Sequence, residues 1–243
     1  MERNALDICV EDLPERQLRS SVECIWHTEP IAGTKFDIVP DGSVDACFVL
    51  SENNPRVLLF GTTTKTSAYE LEAGAVYFGV RFRPGKASTF IREKISALTD
   101  TRITVPHFLG ITAEELLEFK SNADRQTRLQ EALIRALSAD RERSAPVLDY
   151  AVTQIDRQSG DLRVRQAADA CNISERQLER LFLQGVGVTP KLYMRIRRFR
   201  AVLNRLEDPP SLQPPKLADL AAMHGYVDQS HLLRDFQDFG HRL

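Results

Sequence analysis

The chain has 243 residues, 32 basic and 34 acidic side chains and a formal net charge of −2. At 42% hydrophobic and 27% charged it is a globular sequence, long enough to bury a sizeable core, and two domains are the better expectation. This excludes a disordered chain and a uniformly basic one, but the near-neutral sum hides a division: residues 1–160 carry −5, residues 161–243 carry +3, and residues 162–205 hold ten basic against three acidic side chains. An acidic front and a basic segment behind it point to a partner-binding half followed by a nucleic-acid-binding half.

The first nineteen residues carry charges throughout and no apolar stretch of the kind a secretory signal needs. No apolar run reaches the roughly 18–20 residues that span a bilayer, so no membrane partner is expected. Cys9, Cys24, Cys47 and Cys171 lack zinc or redox spacing. Lone thiols suit a reducing cytosol, and a cytoplasmic location is expected.

Short apolar runs separated by turn residues then predict strands: residues 36–40 before Asp41-Gly42, then 44–50, 57–60 and 75–82, the last ending at Arg83-Pro84-Gly85. They suit a small antiparallel sheet or barrel. Residues 86–98 fit a helix, as do 112–120 behind a Thr112 cap and 124–138. Leu129, Leu133, Ile134 and Leu137 give the last of these an apolar face, a candidate homodimer interface. Residues 139–145 form a charged linker, and Pro146 fits the first turn of a helix over 146–158.

From 161 onward the pattern is helical and repeats once. Leu178–Phe182 and Leu232–Phe236 share L-x-R-x-F at an offset of 54, and Ala168 and Ala221 lie 53 apart. In the first copy Val164, Ala167 and Cys171 form an inward stripe, Asn172 occupies the turn, Ile173 plugs the corner and Ser174 caps the next helix. Leu178, Leu181 and Phe182 face inward, which leaves Arg176, Gln177, Glu179 and Arg180 facing out. The second copy uses Leu217, Leu220 and Ala221, then Gly225, Tyr226 and Asp228, with a turn one residue longer. Gln229, Ser230, His231 and Arg234 face out there. Between the copies, residues 189–207 predict a helix with a continuous apolar face and arginines at 195, 197, 198, 200 and 205, which reads as a rigid basic spacer. Pro209, Pro210, Pro214 and Pro215 make 208–215 a stiff loop.

With these motifs in view, residues 146–240 resemble the C-terminal domain of the AraC/XylS transcription regulators. The carriers are two helix-turn-helix units in order, G-V-T-P entering a basic linker helix, and G-Y-x-D-Q-S-H-L-x-R-x-F. The front half is similar to the sensor-like region of one AraC subgroup through Ile38–Gly42, Phe60-Gly61 and Gly79–Gly85. The resemblance implies an α+β chain: a mainly antiparallel β domain with helices over 1–138, a linker at 139–145 and an all-α DNA-binding domain over 146–243. The first helix-turn-helix spans 163–184, the linker helix 189–207 and the second unit 216–239.

It implies sequence-specific binding of double-stranded DNA in two adjacent major grooves, with no cofactor, no metal and no enzyme activity. Arg176, Gln177, Glu179, Arg180, Gln229, Ser230, His231 and Arg234 would read bases, and Arg195 and Arg198 would contact phosphates. The front domain would sense a small-molecule effector or dimerise. Trp26 is a candidate for ligand stacking, and Arg81 and Arg83, flanking Phe82 in one strand, for an anionic ligand on a shared face. Asp41 and Asp45 read as turn and solvent residues. The family usually continues with a Gly-x-x-Pro segment and a short last helix, so a weaker buttress for the second unit is expected. The rival reading is an enzyme or DNA-repair domain fused to the same DNA-binding module; the absence of close cysteine pairs counts against it.

Overall fold

A computed structural model describes residues 9–28, 35–139, 146–207 and 216–241. The front half is a six-stranded sheet of β1 (Cys9–Asp12), β2 (Val22–Thr28), β4 (Val44–Leu50), β5 (Arg56–Phe60), β7 (Val76–Phe82) and β8 (Arg102–Val105). Their order is β1-β2-β7-β4-β5-β8, and every neighbouring pair is antiparallel. A ribbon of β3 (Lys35–Ile38) and β6 (Ser67–Glu70) covers part of one face. The strands over 44–50 and 76–82 are apolar runs, each interrupted by one charge, Asp45 or Arg81, because both faces of the sheet are covered. Phe48, Phe78, Val80 and Phe82 enter the main core, while Cys47, Val49 and Tyr77 point into a second cluster with Tyr69 and Leu71.

Helices close the main core. Thr112 caps α2 (Ala113–Leu117) by accepting from the Glu115 amide, as the sequence predicts. Leu129 and Leu133 of α3 (Asn122–Ala139) are fully buried in this core, with Ile134 and Leu137 packed against it. The face proposed as a dimer interface is therefore spent inside the chain. The helix expected over 86–98 is instead a 3-10 turn at Ala87–Thr89 and a short α1 (Ile95–Leu98). The linker residues 140–145 and the proline loop 208–215 lie outside the described residues; Ala139 ends α3.

The second half contains α4 (Pro146–Arg157), α5 (Val164–Ala170), α6 (Glu175–Gly185), α7 (Pro190–Glu207), α8 (Leu217–Met223) and α9 (Gln229–Asp238). Two apolar clusters hold it. One joins α4, α5, α6 and the start of α7 around Leu178, Phe182 and Tyr193. The other joins α7, α8 and α9 around Phe199, Leu232, Phe236 and Phe239. Both meet the sheet half: at the first, Thr62 Oγ1 donates to the Val186 carbonyl at 2.6 Å, Thr99 Oγ1 to the Gly187 carbonyl at 2.7 Å, and Lys86 pairs with Asp149, while Val39 packs against the second.

Candidate nucleic-acid interface and its neighbouring cavity

Both predicted helix-turn-helix units form, and their local devices correspond residue by residue. Ala167 and Ala168 are buried where α5 meets α6, as are Leu220 and Ala221 where α8 meets α9. Asn172 takes φ +53° and Gly225 φ +70°, the left-handed turn each copy requires. Ser174 accepts from the Gln177 amide and Asp228 from the His231 amide, satisfying a free N–H at the start of each second helix. Leu178 and Phe182 match Leu232 and Phe236, all between 0 and 1% exposed.

The opposite faces are open. Arg176, Gln177, Glu179 and Arg180 are exposed on α6, and Gln229, Ser230 and Arg234 on α9. Two of these candidates also help to build the turns. The Gln177 Oε1 accepts from the Ser174 amide and hydroxyl, which leaves its amide nitrogen outward. His231 is half-buried, with Nδ1 accepting from the Val227 amide at 3.4 Å and its ring edge-on to Tyr226.

The arginines of α7 depart from the spacer picture. Arg195 donates to Asp235 at 2.7 Å and Asp238 at 2.6 Å, both on α9, and lies over the Phe239 ring. Arg197 pairs with Asp156 of α4 at 2.8 Å and donates to the Asp41 carbonyl. The Arg198 guanidinium sits 5.3 Å from the centre of the Tyr226 ring. The apolar stripe of α7 is two-sided, because Tyr193 and Met194 are buried along with Ile196, Phe199, Val202 and Leu203. This helix is thus braced against both units and the sheet, and Arg195 and Arg197 spend their charge on carboxylates while Arg198 spends its own on the Tyr226 ring. The same bracing reaches the residues just after α9: Phe239 packs on Phe199, and its carbonyl accepts from the Thr66 amide at 2.7 Å.

Beneath α7 lies a cavity of about 120 Å³. Its walls include Trp26, Asp45 and Arg81 from the sheet, Tyr69 and Tyr77 from the second apolar cluster, Asp37 of β3, and Arg200 and Glu207 of α7. Trp26 lies against β7 because Gly79 has no Cβ; one added there would come within 2.6 Å of the indole. The indole N–H donates to Asp45 at 3.1 Å, and Arg81 Nε donates to the same carboxylate at 3.1 Å. Arg81 also pairs with Asp41 at 3.5 Å, whose other oxygen accepts from the Ser43 amide. Asp41 and Asp45 are thus structural ion-pair partners and not solvent residues. Burial pushes the Asp45 carboxyl up from its ordinary range while Arg81 pulls it back. Burial also raises the Cys9 thiol to about 11 and Cys47 well above its usual value, so the thiols near the cavity are protonated packing groups. Arg83 does not line the cavity with Arg81. It follows the end of β7, is exposed, and donates to the Arg19 carbonyl at 2.8 Å.

Trp26 and Arg81 are therefore brought together and Arg83 is not. Asp37, Asp45, Arg200 and Glu207 complete the cavity, and sequence reasoning passed over them. A register signal existed for Asp45, which pairs across the sheet with Arg81; none existed for the α7 residues.

The Helix-turn-helix domain family matches residues 167–241, and the family described as Domain of unknown function (DUF6597) matches residues 11–104. No curated protein matches the chain. Among solved structures, ToxT from Vibrio cholerae with bound unsaturated fatty acid aligns with TM-score 0.42 and 8% identity over 88% of this chain and 90% of that one. Another ToxT structure, of the same organism, aligns with TM-score 0.39 and 10% identity over 96% and 94%. A third, bound to a methylnaphthalenyl butenoic acid, gives 0.41 and 9% over 88% and 92%. Among the described residues no helix is long and apolar enough to cross a membrane.

Proposed function

We propose that this protein, a DNA-binding transcription regulator whose residues 167–241 are a helix-turn-helix domain of the AraC type, reads DNA with the outward faces of α6 and α9 in adjacent major grooves. The carrying observation is the matched pair of helices, each with its inward leucine and phenylalanine fully buried, its first turn capped, and Arg180 or Arg234 exposed at the equivalent position. Arginine can address guanine bidentately in the major groove, and the free amides at the helix starts can hold phosphates. Arg195 and Arg198 drop out of the contact set, since their guanidiniums serve Asp235, Asp238 and Tyr226.

The cavity is the effector site in this reading. A ligand there would touch Arg200 and Glu207 on α7, the helix that joins both units, and also Gly61 and Thr63. Those two residues belong to the loop whose Thr62 and Thr66 grip the backbone just after α6 and α9. Occupancy would thus act on the relative placement of the two recognition helices. Selection from random DNA followed by anisotropy titration tests the DNA reading. A motif with two half-sites should emerge, and Arg180→Ala should weaken it by about 1–3 kcal/mol and relax one position. Recovery of no motif would sink the proposal.

A further inference from the structure

We infer that the cavity beneath α7 accepts an organic cation, a small molecule pairing an ammonium group with an apolar or aromatic body. The inference rests on the reading of this cavity as the effector site and supplies the chemistry of its ligand. Charge decides the class. Glu11, Asp37, Asp41 and Asp45 line the space against Arg81 and Arg200, four carboxylates facing two guanidiniums. Arg81, the cation nearest the indole, is already shared by Asp45 and Asp41. An anionic ligand would have to draw it away from both and then sit beside two further carboxylates, Glu11 and Asp37. A cation meets the opposite situation and relieves the surplus negative charge.

The apolar walls suit the same class. Trp26, Phe60, Tyr69 and Tyr77 present rings to the cavity, and ring faces attract cations. Tyr69 already holds the guanidinium of Arg102 at 5.0 Å from its ring centre. The indole of Trp26 is fixed in orientation by its bond to Asp45 and by Gly79 beneath it. Arg200 and Glu207 are seven residues apart on α7, hence on one side of the helix. An ammonium below them repels Arg200, so the helix joining the two DNA-binding units senses the charge itself.

Trp26 is the chain's single tryptophan, and its emission reports occupancy directly. The full chain is titrated with 2-phenylethylamine, 2-phenylethanol and phenylacetate, which share a ring and chain length and differ in charge. The amine should give a saturable change in emission and bind about ten-fold tighter than the alcohol, with phenylacetate weakest. Asp37→Asn and Glu11→Gln should each weaken the amine several-fold without changing the melting temperature. Asp45→Asn should weaken it further, with circular dichroism confirming the fold. Tighter binding of phenylacetate, or equal binding of all three, overturns the cation assignment and leaves an effector cavity of another class. No saturable response to any of them overturns both the assignment and the effector reading, and a DNA titration of the same sample tells whether the helical half still functions.

Discussion

The two helix-turn-helix units are built from one local code and held by different tertiary means. The α6 unit rests on α4 and the first turns of α7 through apolar contacts around Phe182 and Tyr193. The α9 unit is in addition tied by charge: Arg195 spans to Asp235, whose side chain is 3% exposed, and to Asp238. Their outward faces differ as well. Arg176 and Arg180 stand on α6, whereas Arg234 on α9 lies in a segment where residues 206–243 carry six acidic against three basic side chains. Equivalent local structure therefore does not give equivalent units. The first supplies more of the positive charge that DNA attracts, and the second depends more on being positioned by α7.

The largest expected effect breaks that tie. Arg195→Ala leaves Asp235 buried without its cation and should cost about 3–5 kcal/mol, read by chemical denaturation, with DNA affinity falling although Arg195 is assigned no DNA contact. A cost no greater than that of an exposed arginine such as Arg176 would mean that α9 stands without the tie.

The two turns give the next contrast. Gly225→Ala places a Cβ at φ +70° and against the Asp161 carboxyl, so it should lose more than about 1–2 kcal/mol. Asn172→Gly, at φ +53°, relieves the same backbone and should change stability by less than about 1 kcal/mol. Equal costs at both turns would show that neither position selects for the left-handed conformation.

Removing the caps should cost about 1 kcal/mol each. Asp228→Ala should exceed Ser174→Ala because Asp228 also brings a negative charge to the helix start. Thermal melts of the two variants rank them, and the reverse order would refute the charge contribution.

The smallest effect is one of pH. Burial and the nearby Arg205 lower the His224 pKa below 6.5. The folded state therefore binds this proton less readily than the unfolded chain does. The stability linked to His224 is full above 6.5 and is lost as pH falls through the lower folded value. His224→Gln should flatten that slope in melting temperature, and an unchanged slope would assign it to another group.

Much of the helical half was legible from local pattern. The positive φ at Asn172 and Gly225, the caps at Ser174 and Asp228, and the inward leucines all follow from side-chain chemistry within a few residues. Strands 44–50 and 76–82 were equally plain, because a short, mostly apolar run bounded by turns has few other uses. Strands β1, β2, β6 and β8 were missed. Each is short or carries exposed polar residues, and each gains its bonds from a partner elsewhere in the chain. Residues 86–98 read as one helix from their apolar spacing, yet Phe90, Ile91, Ile95 and Leu98 all reach the core from two separate turns.

The sequence by itself determined the second helix of each helix-turn-helix unit, the caps and turns, and the residues on the open faces, since each depends on neighbours within one supersecondary unit. Only the tertiary structure decided what the charges do. Arg195, Arg197 and Arg198 of α7 looked like a display for phosphate, but Asp156, Asp235, Asp238 and the Tyr226 ring claim them. The Asp41 and Asp45 carboxylates looked solvated, but the sheet register sets Asp45 beside Arg81, and Asp41 pairs with the same guanidinium at the edge of a cavity. Charge is not consumed locally as a cap or turn is. A guanidinium pairs with whichever carboxylate the fold brings within a few ångströms, and in this chain those partners lie some 36 to 43 residues away.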